Sequence, residues 1–326
     1  MATDLERREA KYDELTSKFI NQRPTPLIAV YKIEDSYFDI LKDSVINYMS
    51  RCLPSRKQMH NEEAILSEFM KLRNKEVFRG GKRDLIKSCT PNGLLVPKRH
   101  SQLEYNRVVQ AYTSIIQKLN IREFIESFHI PLNVRYKDPQ MAPENKGRGR
   151  STETWHTDSW AGESPASITT MIPLLGDTDN NNVLFKVPPR DFKEEWIGFR
   201  ESYNEGVNEI KNYNFQECRI PYKKGNLILA DFATIHASSR KDGCGPRVSI
   251  DTTFAVKRSK EEQDMAEKKM HKWRKNERIS PEELYDVGAS KFFYFPDSEN
   301  DFVESGGAKH PSNLHIINLE SAVQGR

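Results

Sequence analysis

Between residues 131 and 257 the apolar residues of this chain stop following the three-and-four spacing of helices and alternate in short segments instead. These segments are rich in β-branched and aromatic residues and are divided by Gly, Pro, Asn and Asp: PLNVRY, STETWHTD, ASITTMIPLL, NNVLFKVP, ECRIPY, GNLILADF and RVSIDTTFAV. Because most of them follow one another without a helical crossover, they predict an antiparallel sandwich or barrel. The charged stretch at 191–214 is the exception and predicts an inserted helix or a long loop.

The regions on either side of this β core favour helices. Apolar residues at helical spacing predict four helices before the core, at Asp4–Phe19, Tyr37–Cys52, Asn61–Arg73 and Glu104–Phe128, and a short strand at LLVP. A highly charged helix and a shorter one are predicted after residue 257. We therefore expect a helical N-terminal segment at 1–130 that packs on a β core at 131–257, and a C-terminal helical appendage and tail at 258–326.

Composition narrows the classes of protein. The 326 residues include 16 Phe, 12 Tyr and 4 Trp, which is enough bulky material for a packed core. With 50 basic and 47 acidic residues the net charge is +3, which provides no strong field for nucleic acid or anionic lipid. No apolar run reaches the roughly 20 residues of a spanning helix, and the four cysteines form no Cys-x-x-Cys pair. We expect a cytoplasmic protein with a small-molecule partner and with neither nucleic acid nor membrane as a partner.

Three residues of the β core have the spacing of a metal site. His156 and Asp158 are two apart at the end of a predicted strand, where alternate side chains point to the same face. His236 follows the apolar segment GNLILADF and supplies a third ligand. Two histidines and one carboxylate bind iron(II) on one face and leave three adjacent coordination positions open, as O₂ chemistry requires. We therefore predict that His156, Asp158 and His236 hold a metal ion.

An arginine and a serine that follow His236 are suited to hold a carboxylate. Arg247 and Ser249 alternate on the predicted strand RVSIDTTFAV, and a guanidinium beside a hydroxyl favours two-pronged capture of a carboxylate. A dicarboxylate co-substrate fits that pair. Arg240 is the rival anchor and otherwise a pocket candidate, but it falls in the predicted turn SSRKDGCG, so Arg247 is the stronger candidate.

Taken together, these segments resemble the 2-oxoglutarate/iron(II) oxygenase superfamily, in particular its phytanoyl-CoA-hydroxylase-like branch. The resemblance covers about residues 131–257 and lies in the order of five segments: WHTDSW, TTMIPLLGD, NNVLFKVPP, KKGNLILADFATIH and PRVSIDTTF. Five segments in the order of that superfamily are more specific than any one of them. The resemblance implies a mainly β core, a double-stranded β-helix or jelly-roll, flanked by N-terminal and C-terminal helices, with the metal between its two sheets near one open end.

The same resemblance implies a reaction. 2-Oxoglutarate would chelate iron(II) through its C1 carboxylate and keto oxygen, while Arg247 and Ser249 hold its far carboxylate. Oxidative decarboxylation of 2-oxoglutarate by O₂ to succinate would be coupled to hydrogen abstraction from an unactivated C–H bond of the substrate. Hydroxylation, desaturation, cyclisation and epimerisation all begin with this step and stay open.

Weaker candidates for a substrate pocket lie near the metal motif. Asn133 and Arg135 alternate on the strand PLNVRY, and an inward face and an outward, solvated face fit them equally well. Thr169 and Met171 have a comparable position on the next strand. Trp155 flanks the metal motif. Its side chain fits both a role in packing and a role in substrate contact.

The remaining histidines and one loop complete the set of candidates. Six histidines have no partner at ligand spacing and are predicted to be surface or structural residues: His60, His100, His129, His271, His310 and His315. The loop KDPQMAPENKGRGRSTET before the metal motif is long and is basic at Arg148 and Arg150. A mobile lid and a flexible connection fit this loop equally well.

The function that these patterns favour is an oxygenase that uses iron(II), 2-oxoglutarate and O₂ on a small polar metabolite, such as an amino-acid or sugar-derived biosynthetic intermediate. One alternative is a cupin-like metal enzyme that does not use 2-oxoglutarate, which an outward Arg247 would favour. Another is a non-catalytic binding protein that keeps the barrel. A homodimer, formed through the C-terminal helices, is an open alternative to a monomer.

Overall fold

The computed structural model describes residues 2–19, 22–78, 86, 88–90, 92–140, 148–269, 278–294, 302–305, 308–311 and 315–318. Within these residues the α-helices are α1 (Asp4–Thr16), α2 (Asp35–Cys52), α3 (Glu62–Phe78), α4 (Gln102–Lys118), α5 (Tyr203–Ile210), α6 (Lys260–Lys269) and α7 (Pro281–Tyr285). Among the described helices, none is both long enough and apolar enough to cross a membrane.

The strands form two main sheets in which every pair is antiparallel. The described part of the large sheet consists of β1 (Gln22–Thr25), β2 (Ile28–Lys32), β3 (Leu94–Leu95), β4 (Ile125–His129), β5 (Asn133–Lys137), β6 (Ser167–Gly176), β9 (Asn226–Asp231), β11 (Arg247–Val256) and β12 (Arg278–Ile279). The small sheet consists of β7 (Asn181–Val187), β8 (Gln216–Cys218) and β10 (Ile235–Arg240). Near the C-terminus, β13 (Lys291–Tyr294) pairs with β16 (His315–Asn318), and β14 (Phe302–Ser305) pairs with β15 (Ala308–Pro311).

Strand β11 is the central strand of the large sheet. It pairs along its whole length with β6 on one side, and with β5 and then β4 on the other. Its alternate residues Val248, Ile250 and Phe254 are fully buried in the main hydrophobic core. Because successive side chains of a strand point to opposite faces, Arg247 and Ser249 lie on the other face. One strand therefore carries both a core surface and a polar surface.

The small sheet packs against that polar side of the large sheet. A second apolar cluster contains Val183 and Phe185 of the small sheet together with Ile28, Met171 and Ile228 of the large sheet. Side chains from two sheets that interdigitate in this way make a sandwich. The polar residues of β11 are thus enclosed between the two sheets instead of facing bulk water.

Helices α2 and α4 cover the opposite face of the large sheet. The rings of Tyr48 on α2 and Tyr105 on α4 pack with their centroids 5.5 Å apart. The Tyr112 hydroxyl lies 2.8 Å from the Thr170 hydroxyl of β6, which ties α4 directly to the sheet. The order of layers is therefore helices, large sheet and small sheet.

Helix α1 is held on the body of the protein by a buried arginine. Arg8, only 3% exposed, donates from Nε to Asp231 at 2.7 Å and from Nη1 to Glu194 at 2.9 Å. Its Nη2 donates to the carbonyl of Pro165 at 2.9 Å. A guanidinium with this many fixed acceptors offsets the cost of its burial.

The prediction of a β-rich core with antiparallel sheets flanked by helices is confirmed, but several local predictions are wrong. The region before residue 131 also contributes strands β1, β2 and β4 to the large sheet. The predicted helix at Glu104–Phe128 ends at Lys118, and its last residues form β4. The segment STETWHTD forms no strand. Its one sheet-like pairing in the described structure is the isolated bridge between His156 and His236. Arg240, predicted in a turn, is the last residue of β10.

Parts of three other predictions lie outside the described residues. The basic loop before the metal motif is described up to residue 140 and again from residue 148. The charged helix after residue 257 is described as α6, and residues 270–277 of that prediction lie outside the described part. The tail predicted at the end of the region 258–326 contributes β14, β15 and β16, and the residues between these strands lie outside the described part.

Replacing Arg8 by Ala should destabilise the fold strongly. The substitution leaves the Asp231 carboxylate buried without its cation, and breaking a buried pair in this way costs about 3–5 kcal/mol. Chemical denaturation of both variants would give the difference in the free energy of unfolding. Arg7→Ala on the same helix is the matched control, since Arg7 is largely exposed, and it should change stability by no more than about 0.5 kcal/mol. Equal effects of the two substitutions would contradict this account of α1.

Candidate metal centre

A polar cavity of about 160 Å³ lies between the two sheets. Its walls come from β5, β6 and β11 of the large sheet, from β7 and β10 of the small sheet, and from the loops that precede and follow the His156 motif. Most of the side chains that line it are polar or charged. A buried polar cavity requires partners for these groups, so its lining indicates a site for a polar ligand or an ion.

The three predicted metal ligands meet in this cavity. His156, Asp158 and His236 each offer one ligand atom, and these atoms all lie within 4.8 Å of one another. Ligand atoms that surround one divalent ion at about 2.0–2.2 Å are separated by distances of this order. Two imidazole nitrogens and one carboxylate oxygen are the donor set of non-haem iron(II) sites. The residues present therefore fit a divalent metal ion.

A pair of backbone hydrogen bonds aligns the two histidines. The His156 amide donates to the His236 carbonyl at 3.0 Å, and the His236 amide donates back at 2.8 Å. Residues that exchange both hydrogen bonds lie directly opposite each other in an antiparallel bridge. The two imidazole rings therefore lie next to each other, with their centroids 4.3 Å apart.

A further hydrogen bond fixes which nitrogen of His156 faces the metal position. His156 Nδ1 lies 2.7 Å from the Thr154 carbonyl, an acceptor, so Nδ1 carries the proton. Nε2 is then the nitrogen left for a metal, and a second contact of this kind is usual for a metal-binding histidine. The Tyr203 ring stacks on the other side of the imidazole at 4.2 Å and prevents it from tilting.

Asp158 comes from a turn instead of a strand. It begins the 3-10 turn Asp158–Ala161, directly after the His156 bridge. The Thr169 hydroxyl of β6 donates to Asp158 Oδ2 at 3.1 Å and helps to orient the carboxylate. Thr169 is thus a supporting residue of the candidate metal centre, whereas the sequence suggested only a place in the pocket.

Burial controls the protonation of the three ligands. It lowers the pKa of His156 to about 3 and the pKa of His236 to about 4, since a buried imidazolium loses its hydration. The nearby imidazole of His236 lowers the pKa of His156 further. Burial raises the pKa of Asp158, and the neighbouring Asp251 and Glu163 carboxylates add to this effect. The histidines are therefore neutral, as metal coordination requires.

Arg247 lies in the same cavity with its charge unbalanced. It is only 1% exposed, and within the described structure its Nε and Nη1 atoms have no hydrogen-bond partner. Its guanidinium carbon is 5.2 Å from the centre of the Tyr222 ring. Burial lowers the pKa of Arg247, and the Arg240 and Arg135 charges contribute in the same direction. Ser249 is buried two residues further on the same face and also lines the cavity.

Arg240 is already bound to protein groups. Its Nε donates to the Asp138 carbonyl at 2.7 Å, and its Nη1 pairs with Glu153 at 2.6 Å. Glu153 also accepts from the buried Lys137 at 3.3 Å. Arg240 does not line the cavity. Arg240 lies at the end of β10, just before the turn at 241–244, and its contacts with protein groups are the reason to prefer Arg247.

Asn133 and Arg135 face inward and share one carboxylate partner. Arg135 donates to both oxygens of Asp251 at 2.8 and 2.9 Å, and Asn133 donates to Asp251 at 2.9 Å. All three residues line the cavity. Arg135 is therefore neutralised within the protein, in contrast to Arg247. The outward alternative for this strand face is excluded.

Of the other pocket candidates, one lines the cavity and one does not. Met171 is buried and lines the cavity. Trp155 does not line it, and its ring instead packs beneath the Lys186 ammonium at 4.3 Å. His129, predicted to be structural, is buried and lies 3.4 Å from Glu163, and both of these residues line the cavity.

Several residues of the cavity were missed from the sequence. Asp251 could have been found, because it alternates with Arg247 and Ser249 on one strand. Tyr203 lies in the inserted segment and Glu163 in the loop after the Asp158–Ala161 turn, and no sequence spacing relates either of them to the metal motif. Their positions depend on how the two sheets and the insertion pack together.

Comparisons with known proteins give distant likenesses. No protein-family model matches the chain, and no curated protein is significantly similar to it in sequence. A novel N-substituted L-amino acid dioxygenase from Burkholderia ambifaria aligns with 12% identity and a TM-score of 0.38, over 78% of this chain and 89% of that one. EctD from S. alaskensis, solved with 2-oxoglutarate and 5-hydroxyectoine, aligns with 12% identity and a TM-score of 0.34, over 76% and 75%.

Enzymes of nogalamycin biosynthesis are also among the similar structures. The non-haem alpha-ketoglutarate-dependent carbocyclase SnoK aligns with 12% identity and a TM-score of 0.28, over 46% of this chain. The chain spans about half of SnoK, 54% of its length. The epimerase SnoN was solved with Fe³⁺ and alpha-ketoglutarate. At these scores the likeness alone assigns neither an activity nor a substrate to the chain.

Acidification should destabilise the metal-free protein between about pH 6.5 and pH 4. In the unfolded chain both histidines regain an ordinary pKa of about 6.5. The unfolded state then binds more protons than the folded state, so the free energy of unfolding falls as the pH falls through this window. Urea unfolding at stepped pH measures this slope.

The double variant His156→Gln/His236→Gln should have a shallower slope than the wild type. The difference between the two proteins isolates the histidines from other groups that titrate in the same range, Asp158 among them. Identical slopes would mean that the two imidazoles are not buried in the neutral form.

Proposed function

We propose that the chain is a non-haem iron(II) oxygenase that uses 2-oxoglutarate and O₂ to oxidise an unactivated C–H bond of a small polar metabolite. The observation that carries the proposal is the joint presence, in one cavity, of a two-histidine, one-carboxylate group and a buried arginine, Arg247, two of whose nitrogen atoms have no hydrogen-bond partner in the described structure. A metal site explains the first feature. A dicarboxylate that reaches from the metal to Arg247 accounts for both.

The ligand set favours iron(II) over a structural zinc ion. Structural zinc sites are closed by four protein ligands. In the described part of the chain the group has three ligands, and a cavity lies beside them. Three protein ligands leave coordination positions for a chelating co-substrate and for O₂. We propose that His156, Asp158 and His236 hold the ion through Nε2 of His156, one oxygen of Asp158 and a ring nitrogen of His236.

The charge of Arg247 supports 2-oxoglutarate as the co-substrate. A buried guanidinium with two unsatisfied nitrogen atoms is costly to desolvate, and a bound carboxylate offsets that cost. The planar fork of the guanidinium matches a carboxylate with two parallel hydrogen bonds. The Ser249 hydroxyl lies on the same strand face and would donate to the same carboxylate. The opposite end of the co-substrate would then reach the metal.

When bound, iron(II) and 2-oxoglutarate supply the oxidising power, and the protein supplies geometry. The Thr154 carbonyl, the Thr169 hydroxyl and the Tyr203 ring hold His156 and Asp158 in fixed orientations. His156 and His236 are buried between the sheets, which limits the access of bulk water to them. Hydroxylation, desaturation, cyclisation and epimerisation remain equally compatible with this arrangement.

We also propose that residues 131–257 are a double-stranded β-helix of the phytanoyl-CoA-hydroxylase-like type. Seven described strands, β5 to β11, lie in this range and pack as two facing antiparallel sheets, which supports this assignment. So does the location of the metal ligands between those sheets. The regions 1–130 and 258–326 would then be elaborations, with β2 and β4 extending the large sheet of the core.

A cupin-like enzyme without 2-oxoglutarate is the less favoured alternative. An outward Arg247 would have supported it, but Arg247 is buried and lines the cavity with the metal ligands. A non-catalytic binding protein would need neither a three-ligand group nor an unbalanced buried arginine. The oxygenase proposal uses both features.

Replacing either histidine of the group by Ala should abolish tight iron(II) binding. Loss of a hydrogen bond that supports a ligand already costs roughly 10–100-fold in metal affinity, and loss of the ligand itself should cost more. Thr169→Val, which removes the hydrogen bond to Asp158, should fall within that 10–100-fold range. Anaerobic calorimetry with iron(II) measures each affinity. His60→Ala is the control, since His60 is exposed, and unaltered iron affinity in both ligand variants would disprove the site.

Arg247→Lys should weaken 2-oxoglutarate binding and leave iron binding unchanged. Lysine keeps the charge but loses the two-pronged geometry, and one charge-assisted hydrogen bond is worth about 1.5–3 kcal/mol, roughly ten- to a hundredfold in affinity. Ser249→Ala removes a weaker, neutral hydrogen bond and should have a smaller effect. Titration of the iron-loaded protein with 2-oxoglutarate gives these affinities.

Arg240→Lys is the comparison variant for this test. If it weakens 2-oxoglutarate binding while Arg247→Lys does not, the anchor has been assigned to the wrong arginine and the oxygenase class survives. If neither change matters, dependence on 2-oxoglutarate must be abandoned.

A further inference from the structure

The inserted segment between β7 and β8 contains helix α5, and one face of this helix packs against the metal motif. Tyr203 and Gly206 are both buried on α5. They are three residues apart, so they are neighbours on the same face of the helix. The Tyr203 ring stacks on the proposed metal ligand His156 at 4.2 Å. Gly206 packs against Trp160, which follows the ligand Asp158 by two residues.

Gly206 has no room for a side chain. A Cβ atom at this position would lie 2.5 to 2.6 Å from three carbon atoms of the Trp160 ring. Carbon atoms that are not bonded to each other normally approach to about 3.5–4.0 Å. Glycine is among the least favourable residues within a helix, so helix formation does not account for its presence here. The backbone of α5 packs directly on the indole ring, and only glycine at position 206 permits this approach.

Trp160 is held in place by the same inserted segment. It is only 1% exposed, and its Nε1 atom donates to the Trp196 carbonyl at 2.7 Å. The Trp160 carbonyl accepts from the Arg200 amide at 3.1 Å. The ring, the indole N–H and the carbonyl of Trp160 therefore all contact residues of the inserted segment. A larger residue at position 206 would have to displace α5, because the ring is fixed by these contacts.

The two contacts of α5 lie on either side of a proposed metal ligand. His156 comes two residues before Asp158, and Trp160 comes two residues after it, in the 3-10 turn Asp158–Ala161. His156 and Asp158 supply two of the three atoms of the candidate metal group. A displacement of α5 would therefore act on both ends of the short segment that carries these two ligands.

We propose that Gly206 and Trp160 are positioning residues of the metal site. Their contact sets the distance between α5 and the metal motif, and through it the geometry of the ligands and their affinity for the metal. This inference rests on the proposed function, since it takes His156 and Asp158 as metal ligands. Neither Gly206 nor Trp160 lines the cavity. They act through the ligands, without contact with the metal or with a substrate.

Gly206→Ala should weaken the binding of Mn²⁺, an air-stable substitute for iron(II), at least about tenfold. Loss of groups that orient metal ligands costs roughly 10–100-fold in affinity. An effect on helix formation alone would have the opposite sign, because alanine favours a helix over glycine. Gly198→Ala, in the same inserted segment, is the matched control: its nearest contact would be the end of the Arg200 side chain, at 3.3 Å. The electron paramagnetic resonance signal of free Mn²⁺ gives each affinity.

Trp160→Leu tests whether the indole ring is the cause. This variant removes the contact from the other side, so it should also weaken Mn²⁺ binding at least about tenfold. Gly206→Ala should cost clearly less affinity in the Trp160→Leu background than in the wild type, because residues in contact couple in a double-mutant cycle. Unchanged Mn²⁺ affinity in either single variant, or equal costs of Gly206→Ala in the two backgrounds, would overturn the proposal. If Gly206→Ala does not fold, Trp160→Leu and Trp160→Phe provide the same test.

Nuclear magnetic resonance spectra of the metal-free protein separate this inference from the proposed function. In full-length protein labelled with ¹⁵N-tryptophan and ¹³C-histidine, Gly206→Ala should shift the resonances of the Trp160 indole and the His156 imidazole. Gly198→Ala should leave both unchanged. If the wild type binds neither Mn²⁺ nor iron(II) but these shifts appear, the metal assignment fails, and Gly206 and Trp160 still position His156. If the wild type binds metal tightly and Gly206→Ala alters neither the affinity nor the His156 resonances, the metal assignment stands and the positioning role is wrong.

Discussion

The reciprocal backbone hydrogen bonds between His156 and His236 determine where chemistry can occur in this protein. They join a loop residue to the second residue of β10 and place two imidazoles side by side between the sheets. Asp158 follows two residues later, at the start of a 3-10 turn, and completes the group. The rest of the fold supports this bridge: the small sheet fixes β10, and Tyr203 of the inserted segment packs on His156. Breaking this alignment would separate the ligands even if the sheets persisted.

The second constraint is electrostatic. Arginine and carboxylate side chains are buried around the cavity. The arginines differ in whether a carboxylate of the protein binds them. Arg135, which lines the cavity, is neutralised by Asp251 at 2.8 and 2.9 Å. Arg240, which does not line it, pairs with Glu153 at 2.6 Å. Arg247 has no described acceptor for two of its nitrogen atoms. A protein gains nothing in stability from such a group, because an unpaired buried charge is costly. In the proposed function, the carboxylate of a bound ligand balances this group.

Much of this arrangement could be predicted from the sequence, and the failures have physical causes. Strands such as β6, β9 and β11 follow local alternation, so their existence and the inward face of Arg247 could be inferred. The helix predicted at 104–128 is too long at its C-terminal end, where the residues form β4. The apolar residues of such a short segment fit the helical period and the strand period equally well. The segment STETWHTD has β-forming residues but pairs only at His156, since its neighbours turn to place Asp158. Tyr203, Glu163 and His129 reach the cavity through tertiary packing, which single-sequence spacing does not encode.

The central claim is that iron(II) and 2-oxoglutarate bind together in this cavity. The most direct measurement is the visible spectrum of the anaerobic protein with iron(II), recorded before and after addition of 2-oxoglutarate. Chelation of the iron by the keto acid produces a weak metal-to-ligand charge-transfer band. We predict that this band appears with the wild-type protein, saturates with one equivalent of 2-oxoglutarate, and is absent when His236 is replaced by Ala. A protein that binds iron(II) tightly but develops no band with saturating 2-oxoglutarate would contradict the account.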